Sequence, residues 1–116
     1  MSYITAGELE LLSFFEVEPQ KADPDVAWPY NDFTYHLVLG SYEIIFGIYP
    51  AYKDLSFSIR HDGAEFYKLV ALAVEDVRYH RDADTETLEI AISDRESIWL
   101  RLRPTLLLAQ DVAAET

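Results

Sequence analysis

The chain has 116 residues, half of them hydrophobic, which suits a single domain with a core that needs no metal or disulfide staple. Nine Lys and Arg stand against 21 Asp and Glu, a formal charge of −12, and such a field repels phosphate backbones and anionic lipid surfaces, so neither nucleic acid nor membrane is an expected partner. The absence of cysteine excludes a disulfide scaffold, thiol catalysis and any zinc site built on thiolates.

Thr5 and Glu8 have the spacing of a capping box, and Leu9, Leu12 and Phe15 follow at helical intervals, so a short helix is expected over about residues 6–16. The same stretch also alternates as a strand through Leu9, Leu11, Phe15 and Val17, and the cap signal decides for helix. This N-terminus lacks the basic start and apolar middle of a signal peptide, and no apolar run approaches the roughly 18 residues of a membrane span. A cytoplasmic location is the resulting expectation. Residues 1–32 carry seven acids against one base, Lys21, a net of −6. Pro19, Pro24 and Pro29 punctuate residues 18–32, which read as an ordered surface loop without a regular element.

At Phe33 the pattern changes to period two. Gly40-Ser41 lies between two alternating runs, as a type II′ hairpin turn requires. That turn pairs Leu39 with Tyr42, Leu37 with Ile44, Tyr35 with Phe46 and Phe33 with Ile48, all apolar and all on one face. Residues 55–61 alternate as cleanly, and Asp62-Gly63 is the preferred dipeptide of a type I′ turn, setting Arg60 opposite Glu65 and Ile59 opposite Phe66. Residues 67–74 read as a strand bent near Ala73, although their apolar run also suits a helix.

Residues 77–81, 87–92 and 97–103 then form a three-stranded meander. A four-residue loop at 82–85 pairs Val77 with Ile90, Tyr79 with Leu88, Arg78 with Glu89 and Arg81 with Glu86. A three-residue loop at 94–96 pairs Ile92 with Ile98, Ile90 with Leu100 and Leu88 with Leu102, and sets Trp99 opposite Ala91 and Arg101 opposite Glu89. Pro104 ends the run, residues 105–109 return as a short edge strand, and residues 111–116 fray. The expected architecture is mainly β, an antiparallel meander of about six to eight strands forming a sandwich or open barrel with one short N-terminal helix. Leu37, Ile44, Phe46, Val77, Leu88, Ile90, Ile98 and Leu100 are the expected core, joined by Phe33, Tyr35, Phe57 and Phe66.

Motifs of chemistry are sparse. The four glycines form no phosphate-binding loop, and Asp82-Ala83-Asp84-Thr85-Glu86 lacks the glycine and the distal glutamate of a calcium hand, so it reads as a hairpin tip. His36, His61 and His80 have no metal-ligand spacing, and no serine sits in a nucleophile elbow. No cofactor or metal is expected, and an enzyme, hydrolase-type if any, ranks last among the readings. Small acidic β-rich domains of this kind resemble, in a general way, inhibitor or immunity-type proteins that neutralise a basic partner, an analogy that rests on no motif.

The leading reading is therefore a non-enzymatic binding or protein-interaction domain, with a homodimer as one form of it. A carrier of a small apolar ligand, with its cavity in a barrel, is the alternative. The expected register gathers Arg78, His80, Trp99, Arg101 and Arg103 on the face opposite the core, with Asp76, Thr87 and Glu89 among them. Arg78, His80, Glu89, Trp99, Arg101 and Arg103 form the candidate binding strip, suited to a carboxylate-bearing partner such as the acidic N-terminal segment of a second copy, the alternative being a solvated face whose Arg78–Glu89–Arg101 ladder only pins the strand register. Trp28, Tyr30, Tyr49 and Tyr52, in loops and at strand ends, are the candidate interface aromatics, with plugging the end of a barrel as the equal alternative.

Overall fold

The computed structural model describes residues 3–113. Two antiparallel sheets carry the fold. The first has five strands in sequence order: β1 (Gln20–Lys21), β2 (Phe33–Leu39), β3 (Tyr42–Tyr49), β4 (Asp54–His61) and β5 (Ala64–Ala71). The second has four: β6 (Asp76–Asp82), β7 (Thr85–Ala91), β8 (Glu96–Arg101) and β9 (Leu107–Val112). Among the described residues the two sheets do not join into a barrel. Their inward faces and the helix α1 (Glu8–Phe15) share one hydrophobic cluster. All eight residues first assigned to the core are buried.

The helix sits between the layers, but it is capped differently from the expectation. Thr5 does not serve it. Its N–H and hydroxyl both donate to the Asp76 carboxylate on the second sheet. Gly7 takes the N-cap instead, and the Glu10 carboxylate reaches back to the Gly7 N–H at 2.9 Å. With the start moved inward, the buried stripe is Leu11, Phe14 and Phe15, while Leu9 faces solvent. Phe15 stacks on Tyr35 at 4.4 Å and packs against Phe46 at 4.9 Å, tying the helix to the first sheet. Glu16 ends the helix in the left-handed region, φ 59°, donating its N–H to the Leu12 carbonyl.

The Pro-rich segment departs from a plain loop. Gln20 and Lys21 pair with Thr34 and Phe33, giving the short edge strand that raises the count to nine. Buried Asn31 organises the rest. Its amide donates to the carbonyls of Asp23 (2.6 Å) and Val26 (3.1 Å), and its oxygen accepts from the N–H groups of Asp23 and Asp32. A loop whose prolines remove backbone donors thus closes on one side chain.

The first hairpin has the expected register throughout, from Leu39 opposite Tyr42 to Phe33 opposite Ile48. Gly40 carries φ +61°, the conformation a type II′ turn demands at its first central residue. Asp62 and Gly63 both adopt positive φ, 51° and 83°, as type I′ requires. Beyond that turn Arg60 faces Glu65 as expected, but the register then slips. Ile59 pairs with Tyr67, leaving Phe66 as the extra residue of a β-bulge, 58% exposed rather than in the core. Residues 64–71 are strand, and Ala73 at φ 52° makes the bend.

In the second sheet the β6–β7 pairs are those expected, with a tighter turn, because Asp82 and Thr85 already face each other. The β7–β8 register differs by two. Leu88 lies opposite Leu100, Ile90 opposite Ile98 and Ala91 opposite Ser97, since Ile92 and Ser93 N–H groups both turn onto the Glu96 carbonyl and start the loop one residue earlier. A shift of two preserves which face each residue takes, so the burial assignments survive. β9 runs further than the short edge strand expected, taking in Asp111 and Val112 of the tail assigned to fraying; residues 114–116 lie outside the described residues.

Candidate functional site

The outer face of the second sheet holds most of the candidate strip, but its charges are already engaged. Glu89 on β7 is the centre. Only 9% exposed, it accepts hydrogen bonds from Arg78 (3.3 Å) and His80 Nε2 (2.9 Å) on β6 and from Ser97 Oγ (3.0 Å) on β8. Burial pushes its carboxyl up, and the three donors with the Arg78 charge outweigh that, holding it below the ordinary value. Arg78 also pairs with Asp76 at 3.3 Å. Burial raises the Asp76 carboxyl as well, and the bonds from Thr5 and Val77 with the Arg78 charge bring it net downward.

Register decides the rest of the strip. Trp99, not Arg101, lies opposite Glu89, and its ring sits 5.4 Å from that of His80. Arg101 turns away to the Thr105 carbonyl and hydroxyl, at 3.3 and 3.1 Å. Arg103 leaves the face altogether. Its guanidinium donates to the carbonyls of Phe14 (3.0 Å) and Phe15 (3.3 Å) and pairs with Glu16 at 3.5 Å, closing the C-terminus of the helix. The structure therefore unites Arg78, His80, Glu89 and Trp99 and separates Arg101 and Arg103 from them.

A second network, missed from the sequence, flanks the first. Glu86 accepts from the Ser13 hydroxyl (2.7 Å) on the helix and from the Tyr79 hydroxyl. Burial raises the Glu86 carboxyl, and these donors together with Arg81 and Arg103 lower it below its ordinary value. Only the Arg81–Glu86 pairing carried a signal for it, because Ser13 arrives from 73 positions away.

The aromatics divide. Trp28 packs on Phe33 at 4.8 Å as part of the core rim, whereas Tyr30 is exposed. Tyr49 and Tyr52 stack at 4.5 Å beside the end of β3, with Tyr52 open to solvent. His36 pairs with Glu43 across β2 and β3, and His61 with Asp62 at the β4–β5 turn. Among the described residues no group of three or more His, Asp or Glu is placed to hold a metal ion, and no helix is long and apolar enough to cross a membrane.

Fold and surface together define an acidic, two-sheet antiparallel β domain in which Arg78 and His80 are paired with its own carboxylates and Arg101 and Arg103 are bound to its own carbonyls. No protein-family model matches the chain, and no curated protein is similar to it in sequence. Among solved structures, a chain of the contact-dependent growth inhibition toxin–immunity protein complex from Klebsiella pneumoniae 342 superposes with a TM-score of 0.71. The likeness has 22% identity and covers 96% of this chain and 98% of that one, so the two share a fold over their whole length.

Proposed function

We propose that this chain is a non-enzymatic protein-interaction domain of the immunity type, acting in the cytoplasm by binding and neutralising a basic protein partner. The observation that carries the reading is the end-to-end fold likeness to a chain of a toxin–immunity complex. The charge of −12 favours the inhibitor side of such a pair, because an acidic surface steers and holds a cationic partner. The carboxylates and histidine best placed for acid–base chemistry, Glu86, Glu89 and His80, support the same side, since each is tied to neighbouring side chains of the fold.

The test is affinity capture from native cells at low and high salt, with the bound protein identified by mass spectrometry, followed by expression of that protein with and without this chain. The expected result is a stoichiometric basic partner, weakened by salt, whose growth inhibition is relieved by co-expression. Growth arrest caused by this chain alone would assign it the opposite side of the pair. Failure to recover a partner would remove the reading.

A further inference from the structure

The outer face of the five-stranded sheet carries a depression that none of the engaged charges explains. Thr34, Gly47, Ser56 and Val70 pair in succession across β2, β3, β4 and β5, so they form one row on that face. Three small side chains in sequence leave the sheet low there, and a groove of about 340 Å³ results. In the next row Tyr49 faces Asp54, and Asp32 and Leu72 complete the lining on either side. Val70 and Leu72 are 59% and 70% exposed.

The chemistry of these walls is specific. Asp32 and Asp54 make no ion pair among the described residues, and the lining includes no Lys, Arg or His. Lys53, the nearest base in sequence, is turned away to the Glu75 carbonyl at 3.2 Å. Further along the same face, Glu43 is already paired with His36 and Arg60. Asp54 accepts one bond from the Ala73 N–H at 2.8 Å and, with Asp32, leaves carboxylate oxygens suited to a cationic head; the Tyr49 ring, stacked on Tyr52 on one side, suits a cation on the other, and Val70 with Leu72 suits an aliphatic stem. A phosphate, a carboxylate or a purely apolar ligand matches no such set.

We propose that this groove is the docking site for an arginine- or lysine-bearing segment of the protein partner, an inference that rests on the interaction reading above. Tyr49 supplies the aromatic wall, with Tyr52 stacked against it at 4.5 Å, and the buried Asn31 fixes the backbone that presents Asp32, through the bond to the Asp32 N–H at 2.9 Å.

The test is an amide-resolved NMR titration with the acetylated, amidated pentapeptide Leu-Arg-Ala-Arg-Leu and its counterpart with glutamate for arginine. The arginine peptide is expected to shift the amides of Thr34, Gly47, Ser56 and Val70, and the glutamate peptide to leave them in place. Ser56→Tyr, which fills the groove from an exposed strand position, and Asp32→Asn should each weaken binding by about tenfold. Melting temperatures close to that of the unmodified protein would establish that both variants fold. Shifts confined to residues 8–25 or to the Asp76–Glu89 face, no shifts at all, or unchanged binding by Ser56→Tyr would overturn the groove. Capture of the same protein partner by Ser56→Tyr with undiminished affinity would overturn it too, while leaving the interaction reading standing.

Discussion

Replacing Glu89 tests whether the buried carboxylate stabilises the second sheet or merely occupies it. The side chain is desolvated and accepts from three donors, one of them the Arg78 guanidinium. A hydrogen bond to a charged group contributes about 1.5–3 kcal/mol when its partners are shielded. Arg78 and His80, however, keep 43% and 46% of their side-chain surface in water, so both rehydrate once the carboxylate is gone. Removal also relieves the desolvation of Glu89 itself. The net cost of Glu89→Ala is therefore about 2 kcal/mol, or a fall in Tm of about 8 °C for a domain of this size.

Acid titration supplies the second readout for the same substitution. The fold holds the Glu89 carboxyl below its ordinary 4.5, so the ionised form is favoured in the native state. That stabilisation is fully present above the ordinary value and is lost as pH falls through the folded one. Thermal and urea unfolding of Glu89→Gln should show a smaller deficit at neutral pH than Glu89→Ala and a shallower loss of stability below about pH 4.5. Equal stability of Glu89→Gln and the unmodified protein at neutral pH, with identical acid profiles, would refute the reasoning. A Glu89→Leu variant more stable than the unmodified protein would show that burying the charge costs more than its donors return.

Arg103→Ala should cost about 1–2 kcal/mol by urea unfolding and loosen the helix, seen as faster amide exchange at Glu16, because it strips the last carbonyls of their cation. Asn31→Ala should cost about 2–3 kcal/mol and render residues 23–32 sensitive to limited proteolysis, since four backbone groups lose one shared partner. Phe15→Ala should cost about 3–5 kcal/mol by thermal unfolding, having removed the ring that stacks on Tyr35.

Local turn chemistry made much of this fold legible. Gly40-Ser41 and Asp62-Gly63 admit few backbone solutions, and each brought its strands into the right opening register. The loop after Ile92 has no such dipeptide, so its start slipped by one residue and the pairing by two, and the face of every strand residue was still right. Thr5 was misread because its partner, Asp76, lies 71 positions away, and nothing local distinguishes a cap from a tether. The candidate strip suffered in the same way. Arg103 belongs by strand alternation to an outer face and by tertiary contact to a helix end. The groove was invisible for another reason: Thr34, Gly47 and Ser56 are unremarkable singly, and only the pairing of three strands puts them in one row. Of the lining residues, Tyr49 alone was a candidate from the sequence.

Phe66 has a consequence beyond its own exposure. β5 is an outer strand eight residues long, and an unbroken row of free N–H and C=O groups of that length is a template on which another chain can grow. The extra residue at Phe66 throws the two ends of that row out of phase. A strand laid in register along residues 67–71 arrives misaligned at residues 64–65, so a copy of β5 cannot zip along its whole length. What costs the core an aromatic ring thus works as a stop against fibre growth, built into an edge that the rest of the fold leaves open.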